Sequence, residues 1–381
     1  MIFKEYELGE LLSFEQPTPY IVTSTKYSDA YDTPVLTAGK SFIIGHTNET
    51  TGIYDKLPVI IFDDFTTSSQ YVNFKFKVKS SAMKILTADT ELVLPKFIFY
   101  RMQIINFDHS THKRYWIQHY SKLKVKIPPL DEQARIVARI EELFSELDNG
   151  VQTLQTIKQQ LAVYRQAVLK EAFEGVDADE ITLSAVCDFI TKGTTPKKED
   201  MSLGSGDIPY IKVYNLTFNT RLDFSINPTF VSKETHHNFL GRSITMPGDV
   251  LMNIVGPPLG KVSIVPDSYP EWNINQAIVR FRCLDKIYNK FLAYYLSFSE
   301  TVDRMKAKAK ATAGQQNLTL EICRCITIPL PSIEVQHQMV DEIESRLSVC
   351  DSIEKTVDTA LAQAEAMRQS ILKKAFEGGL V

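Results

Sequence analysis

Residues able to do chemistry are few in this sequence, and most lack the company that chemistry needs. Gly256-Pro-Pro-Leu-Gly260-Lys261-Val262 has the glycines and lysine of a phosphate loop. It lacks the four-residue spacer and the Ser or Thr after lysine that would reach Mg2+, so it reads as a turn between strands. His236-His237 after Glu234 has no metal-ligand spacing on a helix face and reads as a solvated pair. Asp63-Asp64 closes a strand-like run, Val59 to Phe62, but no lysine follows at useful spacing to complete a nuclease carboxylate site. Neither a glycine-rich methyl-donor loop nor an Asn-Pro-Pro-aromatic tetrapeptide is present. The expectation is a chain with no catalytic set, no metal set and no bound cofactor of its own.

Residues suited to nucleic acid are better represented. Arg304, Lys306, Lys308 and Lys310 precede Gly314-Gln315-Gln316-Asn317, which reads as four cations and then three amides in one loop. Cations neutralise phosphates, and Gln or Asn can bond two adjacent groups on a base edge, notably adenine N6 and N7. At the matching place earlier in the chain stand His112, Lys113, Arg114 and Tyr115. Further candidates are Lys192-Gly193-Thr194-Thr195-Pro196-Lys197-Lys198, Lys212 with Asn215, and Thr37-Ala38-Gly39-Lys40. Any one of these is also what an ordinary solvated loop carries; their recurrence at matching places is what favours DNA.

The element that must position them is a repeat. Residues 128–175 (PPLDEQARIVARIEEL…RQAVLKEAFEG) return without a gap 203 positions later as residues 331–378 (PSIEVQHQMVDEIESRL…RQSILKKAFEG), with 18 of 48 positions identical. Such a period far exceeds the roughly 20–50 residues of a solenoid unit and marks a duplicated domain pair. Each copy predicts a long helix. In the first, Ile136, Ile140, Leu143, Leu147, Val151, Leu154, Ile157 or Leu161, Tyr164 and Val168 recur at steps of three and four. In the second, Met339, Ile343, Leu347, Cys350, Val357, Leu361, Ala364, Met367 and Ile371 do so. Two such stripes most simply bury each other.

Pro128, Pro129 and Pro331 suit the helix starts, Asp131, Glu132 and Glu334 the positive end of each dipole, and Gly175 and Gly378 the stops. About 42 residues at ~1.5 Å each makes a rod of roughly 63 Å. Gly150 is the expected weak point of the first rod. A compact segment between the repeats, with neighbouring termini, would make the helices antiparallel. The expected fold is α+β, with heads at 1–126 and 176–327, helices at 127–175 and 328–381, and pseudo-two-fold symmetry.

The heads are duplicated more faintly. Residues 1–126 read as mostly strand, at Val35 to Thr37, Phe42 to Ile44, Pro58 to Phe62 and Phe74 to Val78, followed by a helix from Lys96 to Met102. In residues 176–327, Leu183 to Phe189 echoes Leu8 to Phe14, and Lys290 to Leu296 echoes that helix. The 381 residues carry a net charge of −4. That acidity lies in the helices: residues 1–126 hold 15 Lys+Arg against 13 Asp+Glu and 176–327 hold 17 against 16, while the two helical segments hold 5 against 8 and 5 against 9. Slightly basic heads permit a DNA-facing patch. Five cysteines, odd in number and without CxxC pairing, speak against a disulfide framework and a zinc site. The N-terminus is acidic where a signal peptide is basic, and no apolar run approaches the ~18 residues of a membrane span, so a cytoplasmic chain is expected.

In this arrangement the chain resembles the specificity subunit of a type I restriction-modification enzyme over essentially its whole length. The resemblance rests on two heads, each followed by a helix opened by a Pro-Leu-Pro-like, Glu-Gln motif, here Ile127-Pro128-Pro129-Leu130-Asp131-Glu132-Gln133 and Leu330-Pro331-Ser332-Ile333-Glu334-Val335-Gln336. The second copy has Val335 where the family usually has Glu. Gly193-Thr194-Thr195-Pro196 resembles the G-x-T-P opening of many target-recognition domains, and the first head looks like a variant with VLTAGK, VIIFDDF and HKRYW. The resemblance implies a non-catalytic reader of double-stranded DNA, with one half-site per target-recognition domain. It also implies two methyltransferase subunits docked on the helices and a motor-nuclease subunit as a further partner, with S-adenosylmethionine, ATP and Mg2+ held by those partners. The competing reading, a coiled-coil adaptor whose heads bind proteins, accounts for the rods but not for the paired basic and amide loops.

Overall fold

The structure is a computed structural model and describes residues 3–38, 41–107, 114–256, 258–313 and 317–379, the side chains of 310–313 excepted. Two helices of 44 residues dominate it, Leu130–Phe173 and Ile333–Phe376. The first runs through Gly150 without a break. The chain divides into two units, Met1–Gln155 with Asp358–Val381, and Thr156–Val357, so each long helix gives one segment to each unit. Among the described residues no helix is long and apolar enough to cross a membrane.

In unit 1 the head is closed at its base by Lys4–Glu7 paired antiparallel with Lys124–Ile127, which delivers the chain to the long helix. Its main sheet runs in the order Leu12–Glu15, Met83–Ala88, Val59–Asp63, Ser69–Val72, and a second sheet sets Thr33–Leu36 between Ile43–Thr47 and Lys77–Val78. Of the predicted Phe74 to Val78 strand only Lys77–Val78 forms; Phe76 and Val78 are fully buried, but Lys77 is buried too, and meets Glu49 at 3.1 Å. Helix Pro95–Met102 covers the main sheet, with Pro95 in its first turn where a missing N–H costs nothing.

Unit 2 repeats this plan. Glu180–Thr182 pairs with Thr327–Pro329 at the base. The main sheet runs Cys187–Lys192, Ile278–Cys283, Val250–Asn253, Val262–Ile264, Thr220–Arg221, and the second sheet Met201–Leu203, Thr229–Val231, Ile208–Ile211, Asn273–Ile274. In both second sheets the strand nearest the last one pairs with it in parallel. Helix Asn289–Ser297 takes the place of Pro95–Met102.

One side chain fastens each head to its helix. Gln133 is fully buried, donates from Nε2 to Leu92 O (3.0 Å) and Pro128 O (2.9 Å), and accepts the Leu94 N–H (2.8 Å). Gln336, its repeat partner, does the same with Lys286 O (3.0 Å), Pro331 O (2.9 Å) and the Tyr288 N–H (2.8 Å). An amide carries both donor and acceptor on one end, which is why the motif's glutamine can cap two backbone strands at once. Above each clamp sits the same ion pair, Lys96 with Glu141 and Lys290 with Glu344.

Within each unit the two long-helix segments run antiparallel. In unit 2 Arg165 meets Asp351 at 2.6 Å and Glu171 meets Arg346 at 2.8 Å, one number rising as the other falls. In unit 1 Ile136 lies by Ala375 and Phe376, while Asp148 pairs with Arg368. Asp148–Arg368 and Asp351–Arg165 are one ion pair with the helices exchanged, since 148 and 351, like 165 and 368, are 203 apart. Of the predicted packing residues, Ile136, Ile140, Ile343, Leu347 and Val357 are buried, and Leu143, Leu147, Leu154, Leu161, Leu361 and Ile371 are half-buried. Met367 and its repeat partner Tyr164 are not among them: they are 53% and 44% exposed, and in the second helix the buried line runs through the predicted Ala364 and on to Leu372 and Ala375. A 3.6-residue helix drifts against a strict seven-residue repeat, and here the drift has carried Met367 off the seam.

Candidate nucleic-acid interface

In each head a tip is formed where the turn after a central strand meets the residue at which the chain returns to it. In head 1 the turn follows Val59–Asp63, and the loop returns where the Tyr115 N–H bonds Asp64 O at 2.9 Å. In head 2 the turn follows Val250–Asn253, and the loop returns where the Leu318 N–H bonds Ile254 O at 2.9 Å. Tyr115 and Leu318 are 203 apart, so the offset read from the helices also holds here. As expected, Gly256 to Lys261 lies between two strands, Val250–Asn253 and Val262–Ile264.

The last polar residue of each loop rests on the facing turn. The Arg114 guanidinium lies 5.9 Å from the Phe65 ring, and Asn317 Oδ1 accepts the Gly256 N–H at 3.3 Å. Phe65 and Val255 are 43% and 40% exposed at equivalent points of the two turns, and Lys261 sits over the exposed Phe218 ring. Sequence reasoning missed Phe65, Val255 and Phe218. The repeat signal that aligns the loops is lost across the turns, which differ in length.

Lys40, His112, Lys113, Gln315 and Gln316 lie outside the described residues, as does the Lys310 side chain. Thr37 is half-buried, and its N–H bonds Phe42 O at 2.9 Å. Lys306 and Lys308 are exposed, but on a helix, Ser299–Ala313, and not in a loop. The run of alternating Lys and Ala is strongly helix-forming, and charge alone hid that. Lys306 is paired with Asp303 at 3.1 Å.

Two polar candidates prove to be core residues. Tyr115 is 3% exposed and packs its ring on Phe107. Asn215 is fully buried: its Oδ1 accepts the Lys212 N–H, and its Nδ2 donates to Asp223 O and Ile226 O. Both its donors and its oxygen shape the loop from Lys212 to Ile226, and at 0% exposure it is out of reach of a base. Lys212 itself is half-buried and Lys192 exposed. Gly193 is buried, and a Cβ there would fall 1.9 Å from Ile274 O, so only glycine allows that backbone approach. Behind it Tyr210 Oη donates to Thr194 O (2.8 Å) and lies 3.5 Å from Thr195 Oγ1, while Arg242 donates to Thr194 Oγ1 (3.2 Å), pinning the Gly193 to Pro196 turn. Burial pushes the Tyr210 phenol up to about 12, so it stays a donor.

The acidic and histidine pairs are structural too. Asp64 is 1% exposed, accepts the Trp116 N–H (2.8 Å) and meets the equally buried Lys84 at 3.3 Å. His236 is fully buried, not solvated. With His237 and Glu271 it places three possible ligand atoms within 4.8 Å. Asn273 Oδ1 is committed to the Ser243 hydroxyl and the Ile274 N–H, so its Nδ2 donates to His236 Nδ1 (3.1 Å). The ring proton is thereby left on Nε2, aimed at Glu271 (3.3 Å), and that tautomer has no Nε2 lone pair for a metal.

Comparison with known proteins adds to this geometry. Residues 175–363 match the family model for the type I restriction modification DNA specificity domain. The chain is 31% identical over 365 residues to the EcoR124I/EcoR124II specificity subunit of Escherichia coli, covering 91% of this chain and 87% of that one. It is 30% identical over 282 residues to the EcoBI specificity subunit of Escherichia coli, covering 67% and 58%. A chain solved in work on complex assembly and conformational transition of the type I R-M system matches with a TM-score of 0.65 over 99% of this chain and 98% of that one, at 19% identity, a likeness of fold.

Proposed function

Because this chain belongs to the specificity subunits of type I restriction-modification enzymes, we propose that each head reads one half of a bipartite DNA target through its hairpin-and-loop tip. The chain recognises the DNA target of such a system, and its family is non-catalytic. The observation that carries the division of labour is the recurrence of one tip, built on equivalent backbone bonds, with different side chains: Phe65 and Arg114 in one head, Val255 and Asn317 in the other. A common frame with different tips is what reading two unlike half-sites requires, since phosphate contacts position and base contacts specify.

The exchanged Asp–Arg pairs support an antiparallel coiled coil with pseudo-two-fold symmetry as the frame between domains 1–126 and 176–327. Helices of 44 residues span ~66 Å, which limits the spacing of the heads to less than about two turns of B-DNA at ~34–36 Å each. The acidic faces of the helices would dock two methyltransferase subunits. S-adenosylmethionine, and ATP and Mg2+ where a motor-nuclease subunit joins, would belong to those partners.

The test is long-read mapping of methylated adenine in cells that express this chain with its methyltransferase. One bipartite motif is expected. Arg114→Ala should relax one half of it, and the triple alanine variant at Gln315, Gln316 and Asn317 the other. Four residues inserted in each long helix should lengthen the spacer; an unchanged spacer would sink the reading of the helices as a ruler.

A further inference from the structure

Each unit holds a cavity of about 550 Å3 where its head's helix meets the two long-helix segments. The walls correspond: Tyr100, Glu141 and Asp148 in unit 1 stand where Tyr294, Glu344 and Asp351 stand in unit 2, and Arg368 stands for Arg165. The heads' contributions differ. In unit 2 the short strand Thr220–Arg221 adds in parallel to Val262–Ile264, covers that edge of the sheet and brings Arg221 to 3.2 Å from Asp351. In unit 1, among the described residues, the sheet stops at the equivalent strand, Ser69–Val72.

That edge adjoins the cavity through Tyr71, whose ring packs on the cavity-lining Phe99. The Asp63 N–H bonds Ser68 O, so the antiparallel alternation turns the backbone groups of Ser69 and Tyr71 outward. Gln103, which lines the cavity, donates to Ser69 O and Oγ, so the residue of this edge that a new strand would pair is Tyr71. The charges differ in the same sense. Glu141, Asp148 and Glu365 face Arg368 and, at the margin, Lys96, whereas Glu344 and Asp351, with Glu354 on Arg165, face Arg165, Lys290 and Arg221. Among the described residues unit 1 therefore has no counterpart of Arg221 or of the strand that carries it.

We propose that unit 1 takes both from a partner: an extended, arginine-bearing segment of the methyltransferase subunit that adds to the Ser69–Val72 edge and sets its guanidinium against Asp148. Strand addition gives affinity through backbone bonds, and the charged pocket selects the side chain. The proposal rests on the docking reading above.

The experiment titrates the full chain with its methyltransferase subunit, with amide hydrogen exchange on the free and bound chain. Tyr71 is expected to gain at least about tenfold protection on binding. Asp148→Asn, at a side chain 58% exposed, should fold normally and bind about tenfold more weakly, the worth of one partly desolvated ion pair. Asp351→Asn, whose partners are the chain's own arginines, should bind within about twofold of wild type. Wild-type binding with neither Tyr71 protection nor an Asp148→Asn effect overturns this inference and leaves the docking reading intact. No binding by the wild-type chain removes both. An Asp148-dependent dimer of this chain in sedimentation would make a second copy the occupant and overturn the methyltransferase assignment.

Discussion

Head 1 and head 2 solve the same packing problem with different chemistry. Behind the tip of head 1 lies the buried pair Lys84 and Asp64; at the same places in head 2 stand Val279 and Ile254, both buried and apolar. At the junction with the helices nothing comparable has changed: Gln133 and Gln336 clamp the same three backbone groups. The interior of a head tolerates exchange of an ion pair for hydrocarbon because either fills the space, and a buried pair recovers little beyond its own desolvation. The junction keeps glutamine in both copies, where one amide donates twice and accepts once. Heads are thus free to diverge around a fixed mounting.

Each head holds one of the two tryptophans, Trp116 and Trp272, both 1% exposed, so a single-tryptophan variant reports one head at a time. The largest expected effect breaks the comparison at the ion pair. Lys84→Val in a Trp272→Phe background should destabilise head 1 by about 3–5 kcal/mol in urea, because Asp64 is left charged, buried and alone. Adding Asp64→Ile, which copies head 2, should restore all but the ~1–2 kcal/mol of an orphaned Trp116 N–H. If the double variant is no better than the single, the two heads are not interchangeable at this point.

Gln133→Leu and Gln336→Leu should each cost about 2–3 kcal/mol through stranded backbone groups, and each should loosen only its own head. Equal loosening of both heads by either variant would refute a local clamp.

Acid sharpens the contrast. Burial holds the His236 imidazole below its ordinary 6.5, so the folded state binds fewer protons than the unfolded one. Stability of head 2 from this residue is present above pH 6.5 and is lost as pH falls below it, at no more than about 1.4 kcal/mol per pH unit. In head 1, burial opposes the Glu49 charge, but bonds from the Ser24 N–H, the Lys77 ammonium and Thr23 outweigh it and hold the carboxyl at about 2, below its ordinary 4.5. That contribution is present above pH 4.5 and goes as pH falls toward 2. Trp272 fluorescence should therefore respond to mild acid before Trp116 does, and the reverse order would remove His236 from the account. Smallest of all, Arg165→Ala, which breaks two ion pairs, should cost about 1 kcal/mol, and Arg368→Ala about half that.

The long helices could be read from the chain because their signals are local: steps of three and four, prolines before, glycines after, and a second copy to compare. The same reading placed Met367 on the seam, since periodicity carries no information about accumulated drift. It took Arg304 to Lys310 for a loop because charge was weighed and helix propensity was not. The tips were half legible. The offset of 203 found the loops, but Phe65 and Val255 come from turns far away in sequence that share no residues.

From its sequence alone this protein is a duplicated chain, two diverged heads on two like helices, because repeats and helical periods are written in neighbouring residues. Only the tertiary structure decides which polar groups are available to DNA. Asn215 and Tyr115 look like readers and are core; Lys84 and Asp64 are 20 positions apart and meet only because Val59–Asp63 lies beside Met83–Ala88. Burial is set by strand pairing across the sheet, and no local property of a residue records it.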